Sequence, residues 1–207
     1  MKEKILAEAE RLFWKYGVRT ITMDDIARRL AISKKTIYQY FTDKEDIVYQ
    51  VVSFHIEHEM TECDRLLDGS MNPVEEMMLV SDMMKRNADM INPSLLVDVQ
   101  RYYPKAWDVF LQYKEGRIIN DIKANLQRGV DEGLYRPDID LETMARLRIE
   151  LIQIGFDDRI FPNTKDVMAT QDHLLHHFIR GILSEQGFTV YNTLKNKEYN
   201  LSAYENK

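Results

Sequence analysis

Five residues spaced along one short segment carry the chemistry of this chain: Lys35, Thr36, Tyr38 and Gln39, with Lys34 before them. At about 100° per residue, Ile37 and Phe41 fall on one side of a helix, where they can enter a small core. Lys35 and Gln39 then point nearly opposite, flanked by Thr36 and Tyr38. The outward face offers a cation, an amide, two hydroxyls and a ring. Those groups suit nucleic acid: Lys meets guanine acceptors, Gln meets adenine, and a Thr methyl packs on a thymine methyl. A solvated helix face has the same composition, so the reading depends on what holds the segment in place.

What holds it is a series of helix starts. Thr22 is placed to cap one helix, with Asp25 three residues on to close the box. Ile26, Ala27 and Leu30 give that helix an apolar face. Ala31-Ile32 forms a turn, and Ser33 caps the second helix. Thr42, with Glu45 in the box position, is placed to cap a third. Three caps so close together make short helices that meet at sharp angles, the geometry of a helix-turn-helix.

The same residues carry a resemblance. Ile21-Thr22-Met23-Asp24-Asp25-Ile26-Ala27, then Ile32-Ser33-Lys34-Lys35-Thr36-Ile37-Tyr38-Gln39-Tyr40-Phe41 and Lys44-Glu45-Asp46, resemble the TetR family of bacterial transcriptional regulators over residues 4 to 50. The resemblance and the outward face together assign base or groove contacts to Lys35, Thr36, Tyr38 and Gln39. Phosphate contacts go to Thr22, Lys34, Tyr40 and Lys44, helped by the helix N-termini. Two positions depart from the family pattern. Ala31 stands where a turn glycine is common, implying a turn with no need of a positive φ. Lys35 stands where Gly or Ala is common and adds a long cation, so the operator cannot be borrowed from a relative.

The chain has 207 residues, 44% apolar and 30% charged, with eight Gly and five Pro. That composition favours an all-α globular chain with a sizeable core. No apolar run approaches the ~18 residues a membrane span needs. Residues 1–8 lack the apolar run of a signal peptide, and Cys63 is the single cysteine, so the expected location is the cytoplasm, with no membrane partner. The net charge of −6 is unevenly spread. Residues 1–49 hold ten Lys and Arg against eight Asp and Glu, a balance of +2. Residues 50–207 hold eighteen against twenty-six, a balance of −8. A weakly basic head on an acidic body should bind DNA with strong salt dependence and limited non-specific affinity.

Periodicity predicts helices over 3–16, 43–67, 74–90, 94–102, 104–132, 140–156 and 164–185, followed by a polar, fraying tail from Asn192. Gly133 to Asp140 resembles the Gly-x-x-Arg-x-Asp segment that precedes the last two helices in the family. The expected division is a helix-turn-helix DNA-binding head, 1–46, and a helical ligand-binding and dimerisation body, 47–207. The resemblance implies that the last two helices pair with a second copy. Leu147, Leu151, Ile154, Leu174, Leu175, Phe178 and Ile182 supply the apolar stripe for that pairing. A two-fold dimer also suits a reader of two half-sites.

An effector pocket in the body is implied by the resemblance. Met60, Cys63, Met83, Met84, Tyr103, Trp107, Phe110, Tyr113, Gln153 and Phe156 have the side chains to line it, mostly apolar with few polar groups. Plain core packing is the competing reading for each of them. His55 with His58, and His173 with His176 and His177, share helical faces. No Cys or carboxylate completes a metal set, so they read as surface or interface groups and no metal or cofactor is expected. No phosphate loop or nucleophile motif stands out, so the chain is not read as an enzyme. The expected function is a DNA-binding regulator, a repressor released from operator DNA by an unknown small-molecule effector. The alternative is a regulator of the same fold controlled by a protein partner.

Overall fold

A computed structural model of the chain describes residues 1–67, 69–88, 94–155, 157, 159–161 and 167–196. Among them every regular element is helical. By packing, the chain forms two compact units: Met1–Glu62 with Met90–Lys114, and Cys63–Asp89 with Glu115–Lys207. The first unit runs past residue 46 to Glu62, and the chain re-enters it over Met90–Lys114.

The first unit contains α1 (Lys2–Tyr16), α2 (Met23–Arg29), α3 (Lys34–Ile37), most of α4 (Lys44–Leu66), α6 (Ser94–Tyr102) and α7 (Pro104–Tyr113). Ile5, Leu6, Ala9, Leu12 and Phe13 recur at helical spacing on α1 and are all buried. They meet Ile26 and Ala27 of α2, Ile37 of α3, Phe41, and Ile47, Val48 and Val51 of α4. Leu95, Val99 and Ala106 join the same cluster from α6 and α7. The start of α4 corrects one expectation. Asp43, not Thr42, is the cap: its Oδ1 accepts from the Asp46 N–H at 2.9 Å, and Asp46 Oδ2 accepts from the Thr42 N–H at 2.9 Å.

The second unit contains α5 (Pro73–Ala88), α8 (Ile119–Asp131), α9 (Leu141–Gly155), α10 (Val167–Ile182) and α11 (Glu185–Asn196). The single helix expected over 104–132 is interrupted by a π-helical turn, Lys114–Ile118, which contains Gly116. Past Gly133 the chain folds back, and Leu134 and Tyr135 both donate to the Gly129 carbonyl, at 2.8 and 2.9 Å. Tyr135 is fully buried and its hydroxyl donates to the Pro73 carbonyl at 2.9 Å. Gly129 permits this: a Cβ there would lie 1.9 Å from Tyr135 Cδ2.

Two further expectations are corrected here. The last expected helix ends at Ile182, and α11 follows as far as Asn196, into the first residues of the expected fraying tail; residues 197–207 lie outside those described. Gly187 lies inside α11 because a Cβ would meet the Leu134 carbonyl oxygen at 2.0 Å, and Tyr191 of the same helix is fully buried. The apolar stripe of α10 also divides. Leu175, Phe178 and Ile182 are no more than 4% exposed within one chain, packed on Val74, Met77, Ile149 and Tyr191, so they serve the unit's own core instead of a dimer interface. Leu147 is 42% exposed, and Leu151, Ile154 and Leu174 are half-buried.

Candidate nucleic-acid interface

The reading segment is fixed at each end by bonds that close within a few residues. Thr22 and Asp25 form a complete capping box: Thr22 Oγ1 accepts from the Asp25 N–H at 3.2 Å, and Asp25 Oδ2 accepts from the Thr22 N–H at 2.9 Å. The bonds from Thr22 hold the Asp25 carboxyl below its usual pKa. After α2, the Ala31 N–H donates to Arg28 O at 3.2 Å and the Ile32 N–H donates to Ala27 O at 3.0 Å. This pair of bonds is a Schellman motif, whose C′ residue is left-handed. Ala31 accordingly has φ +52°, which overturns the expectation of a turn without positive φ. Ile32 then packs on the core beside Ile26 and Ala27.

Ser33 caps α3, its Oγ accepting from the Thr36 N–H at 3.1 Å. Ile37 and Phe41 are buried, which turns Lys35, Tyr38 and Gln39 outward; Tyr38 is 48% exposed. Three of the four expected base-reading side chains therefore share an exposed face. Thr36 differs. It is half-buried, with its hydroxyl 2.9 Å from Ser33 Oγ, so that hydroxyl belongs to the cap.

The four expected phosphate contacts are placed unequally. Thr22 is exposed at the capping box, and Tyr40 is 41% exposed. Lys34 pairs with Asp24 at 3.0 Å on the surface, a bond that raises the lysine pKa. An exposed pair of this kind is weak and is readily exchanged for a phosphate. Lys44 is half-buried, with its ammonium 6.0 Å over the Tyr103 ring and 3.5 Å from the Arg19 carbonyl. Desolvation lowers its pKa, and the Asp98 carboxylate opposes that shift.

Arg28 and Arg29, exposed at the end of α2, were not singled out from the sequence. With Tyr16, Thr20, Ile21, Asp25 and Leu12 they line a cleft of about 370 Å³ on the head. Their signal was the adjacent arginine pair in the last turn of a helix next to the reader.

The expected effector residues are divided between the two units. Met60, Tyr103, Trp107, Phe110 and Tyr113 belong to the first unit, and Cys63, Met83 and Gln153 to the second. The Met84 side chain and Phe156 lie outside the described residues. Tyr103 and Trp107 pack against the head's core, and Trp107 stacks on Phe110 with ring centroids 4.9 Å apart. The Cys63 thiol is pushed up to about 11, mainly by burial and then by the Asp121 and Asp64 carboxylates. Among the described residues no three His, Cys, Asp or Glu side chains are placed to hold a metal. His55 bonds to Glu10 Oε1 at 3.0 Å and His176 to the Tyr191 hydroxyl at 2.9 Å, so both serve the fold. No described helix is long and apolar enough to cross a membrane.

Comparison with known proteins agrees with this geometry. The family described as bacterial regulatory proteins, tetR family, matches residues 5–51. YvaF of Bacillus subtilis (strain 168), an HTH-type transcriptional regulator, is 32% identical over 162 residues, covering 69% of this chain and 85% of YvaF. The chain belongs to the TetR family of helix-turn-helix, DNA-binding transcriptional regulators. The transcriptional repressor KstR2 of Mycobacterium tuberculosis (strain ATCC 25618 / H37Rv) is 23% identical over 69% of this chain and 73% of its own length. A transcriptional regulator from Saccharomonospora viridis, solved in complex with choline, shares the fold: TM-score 0.78, 19% identity, 89% of this chain and 98% of that one.

Proposed function

We propose that this chain is a repressor that reads operator DNA as a homodimer and is released from it by a small apolar or amphipathic molecule. The observation that carries the DNA reading is the doubly capped α2–turn–α3 segment, which turns Lys35, Tyr38 and Gln39 outward from a closed core. Residues 1–46 are assigned to DNA. The effector and the partner subunit are assigned to 47–207. Leu147, Leu151, Ile154 and Leu174 are the side chains of α9 and α10 left available for pairing. An effector that binds one conformation of the body preferentially shifts the dimer toward a spacing of its two heads that no longer fits successive major grooves. The repressor KstR2 and the choline-bound regulator support this reading by similarity.

The test is selection of bound duplexes from a random library, followed by titration of the recovered site. A two-fold symmetric site bound by a dimer is the expected result. Enrichment of no sequence over the starting library would overturn the reading.

A further inference from the structure

Among the described residues of the second unit, one buried cation has no carboxylate paired with it. Arg148 lies on α9 in an apolar stripe with Ala145 and Ile149, and only 4% of it is exposed. Its Nη2 donates to Ser81 Oγ of α5 at 2.8 Å, and the Ser81 hydroxyl donates onward to the Met77 carbonyl at 2.7 Å. Its guanidinium carbon lies 6.0 Å from the ring centre of Phe178 on α10. Its Nη1 is buried without a hydrogen-bond partner, alone in this among the buried side-chain nitrogens and oxygens of the described residues. Burial pushes its pKa down to about 10, with no carboxylate acting on it, so the group is still charged at neutral pH.

A buried guanidinium facing a neutral hydroxyl and a ring, with one nitrogen bonded to no other side chain or backbone group, is costly, since unpaired buried charges are normally compensated. The compensation that fits is planar and anionic. A guanidinium pairs bidentately with carboxylate or phosphate oxygens, and Nη1 is the donor left over. Apolar side chains are adjacent: Met77 and Met78, both buried, lie one turn before Ser81 on α5, and Phe178 lies beside the guanidinium. We infer that Arg148 anchors the head of an effector with one small anionic group, a carboxylate or a phosphate, on an apolar body lying against Met77, Met78 and Phe178. This inference rests on the effector reading above and names the chemical class.

The test uses the full chain and thermal unfolding with decanoate, decyl phosphate and neutral decanol at matched concentrations. One of the anions should raise Tm by about 3–6 °C at ten times its dissociation constant, and decanol by clearly less. Which anion acts identifies the head group. Arg148→Met should unfold at the wild-type temperature or above it, because an uncompensated charge is gone, and its response to the anion should fall to that of decanol. If that variant does not fold, Arg148→Lys keeps the charge without the fork, and should bind the anion about tenfold more weakly with decanol unaffected. Anions that stabilise the wild type no better than decanol would overturn the inference. So would an Arg148→Met or Arg148→Lys protein with the full anion response. This readout needs no DNA. Anion binding without operator release removes the repressor mechanism and leaves the site, and operator release by a neutral compound alone does the reverse.

Discussion

Ala31→Gly should stabilise the head. Ala31 has φ +52° at the C′ position of the Schellman motif that ends α2. A left-handed conformation costs a residue with a Cβ about 1–2 kcal/mol, and glycine nothing comparable. Glycine in turn loses about 0.4–1 kcal/mol through its freer unfolded chain. Ala31 is exposed, so its methyl contributes little packing that would have to be subtracted. The balance favours glycine by about 0.5–1 kcal/mol, or about 1–4 °C in Tm for a chain of this size. Both tryptophans, Trp14 and Trp107, lie in the first unit, so denaturant unfolding followed by tryptophan fluorescence reports the unit that holds the turn. The midpoint should rise with an unchanged denaturant slope. Ala31→Val places a β-branched side chain at the same φ and should lower the midpoint. A glycine variant no more stable than wild type, or a valine variant equal to it, would refute the left-handed turn.

Four other outcomes follow from the placement of particular side chains. Lys35→Ala with Gln39→Ala should weaken operator binding by about thirtyfold or more and random-sequence binding by far less, since each good base contact is worth about 1–3 kcal/mol of discrimination and two are removed; equal losses in fluorescence anisotropy would remove their reading role. Lys44→Ala should lower affinity on every sequence and make the salt slope shallower by at most about one unit; an unaltered slope rejects a phosphate contact by this half-buried ammonium. The Cys63 thiol, raised to about 11 by burial and then by Asp121 and Asp64, should react with iodoacetamide at pH 8 about a hundredfold more slowly than an ordinary thiol. Its rate should climb with pH as the thiolate fraction rises toward pH 11, and labelling as fast as that of glutathione would contradict that burial. Sedimentation without DNA should give a dimer, and Leu147→Glu, at 42% exposure, should shift it toward monomer; a wild-type monomer at micromolar concentration removes the pairing assigned to α9 and α10.

The reading segment was legible because its order is local. The caps at Thr22 and Ser33 close over three residues, and their spacing is visible in the chain itself. The same locality explains the near miss at α4. Thr42-Asp43-Lys44-Glu45-Asp46 contains two overlapping boxes one residue apart, and the structure uses Asp43 with Asp46. Ala31 was misread because residue type reports which conformation is comfortable, while the Schellman bonds dictate which is adopted. The α10 stripe was misread for a different reason. A helical period identifies an apolar face without saying whether it meets its own unit or another chain. Leu175, Phe178 and Ile182 turn inward, and Leu174 is left half-buried.

Charge was the least legible property, because a formal count treats every cation as solvated. The head's balance of +2 includes Lys34, paired with Asp24, and Lys44, half-buried over Tyr103. Arg28, 3.3 Å from Asp25, is drawn toward its own helix. Lys34 and Arg28 must exchange these surface partners, and Lys44 its half-buried position, before they meet phosphate. The salt dependence of non-specific binding should be correspondingly modest, and specificity should rest more heavily on Lys35 and Gln39. In the second unit the same count hides Arg148, which the fold encloses between Ser81 and Phe178. A lysine half-buried at the reading head and an arginine enclosed in the second unit's core are both invisible to composition. They are also the two charges whose replacement separates the DNA-binding role from the effector role: Lys44→Ala should alter the salt slope without altering the anion response, and Arg148→Met should do the opposite.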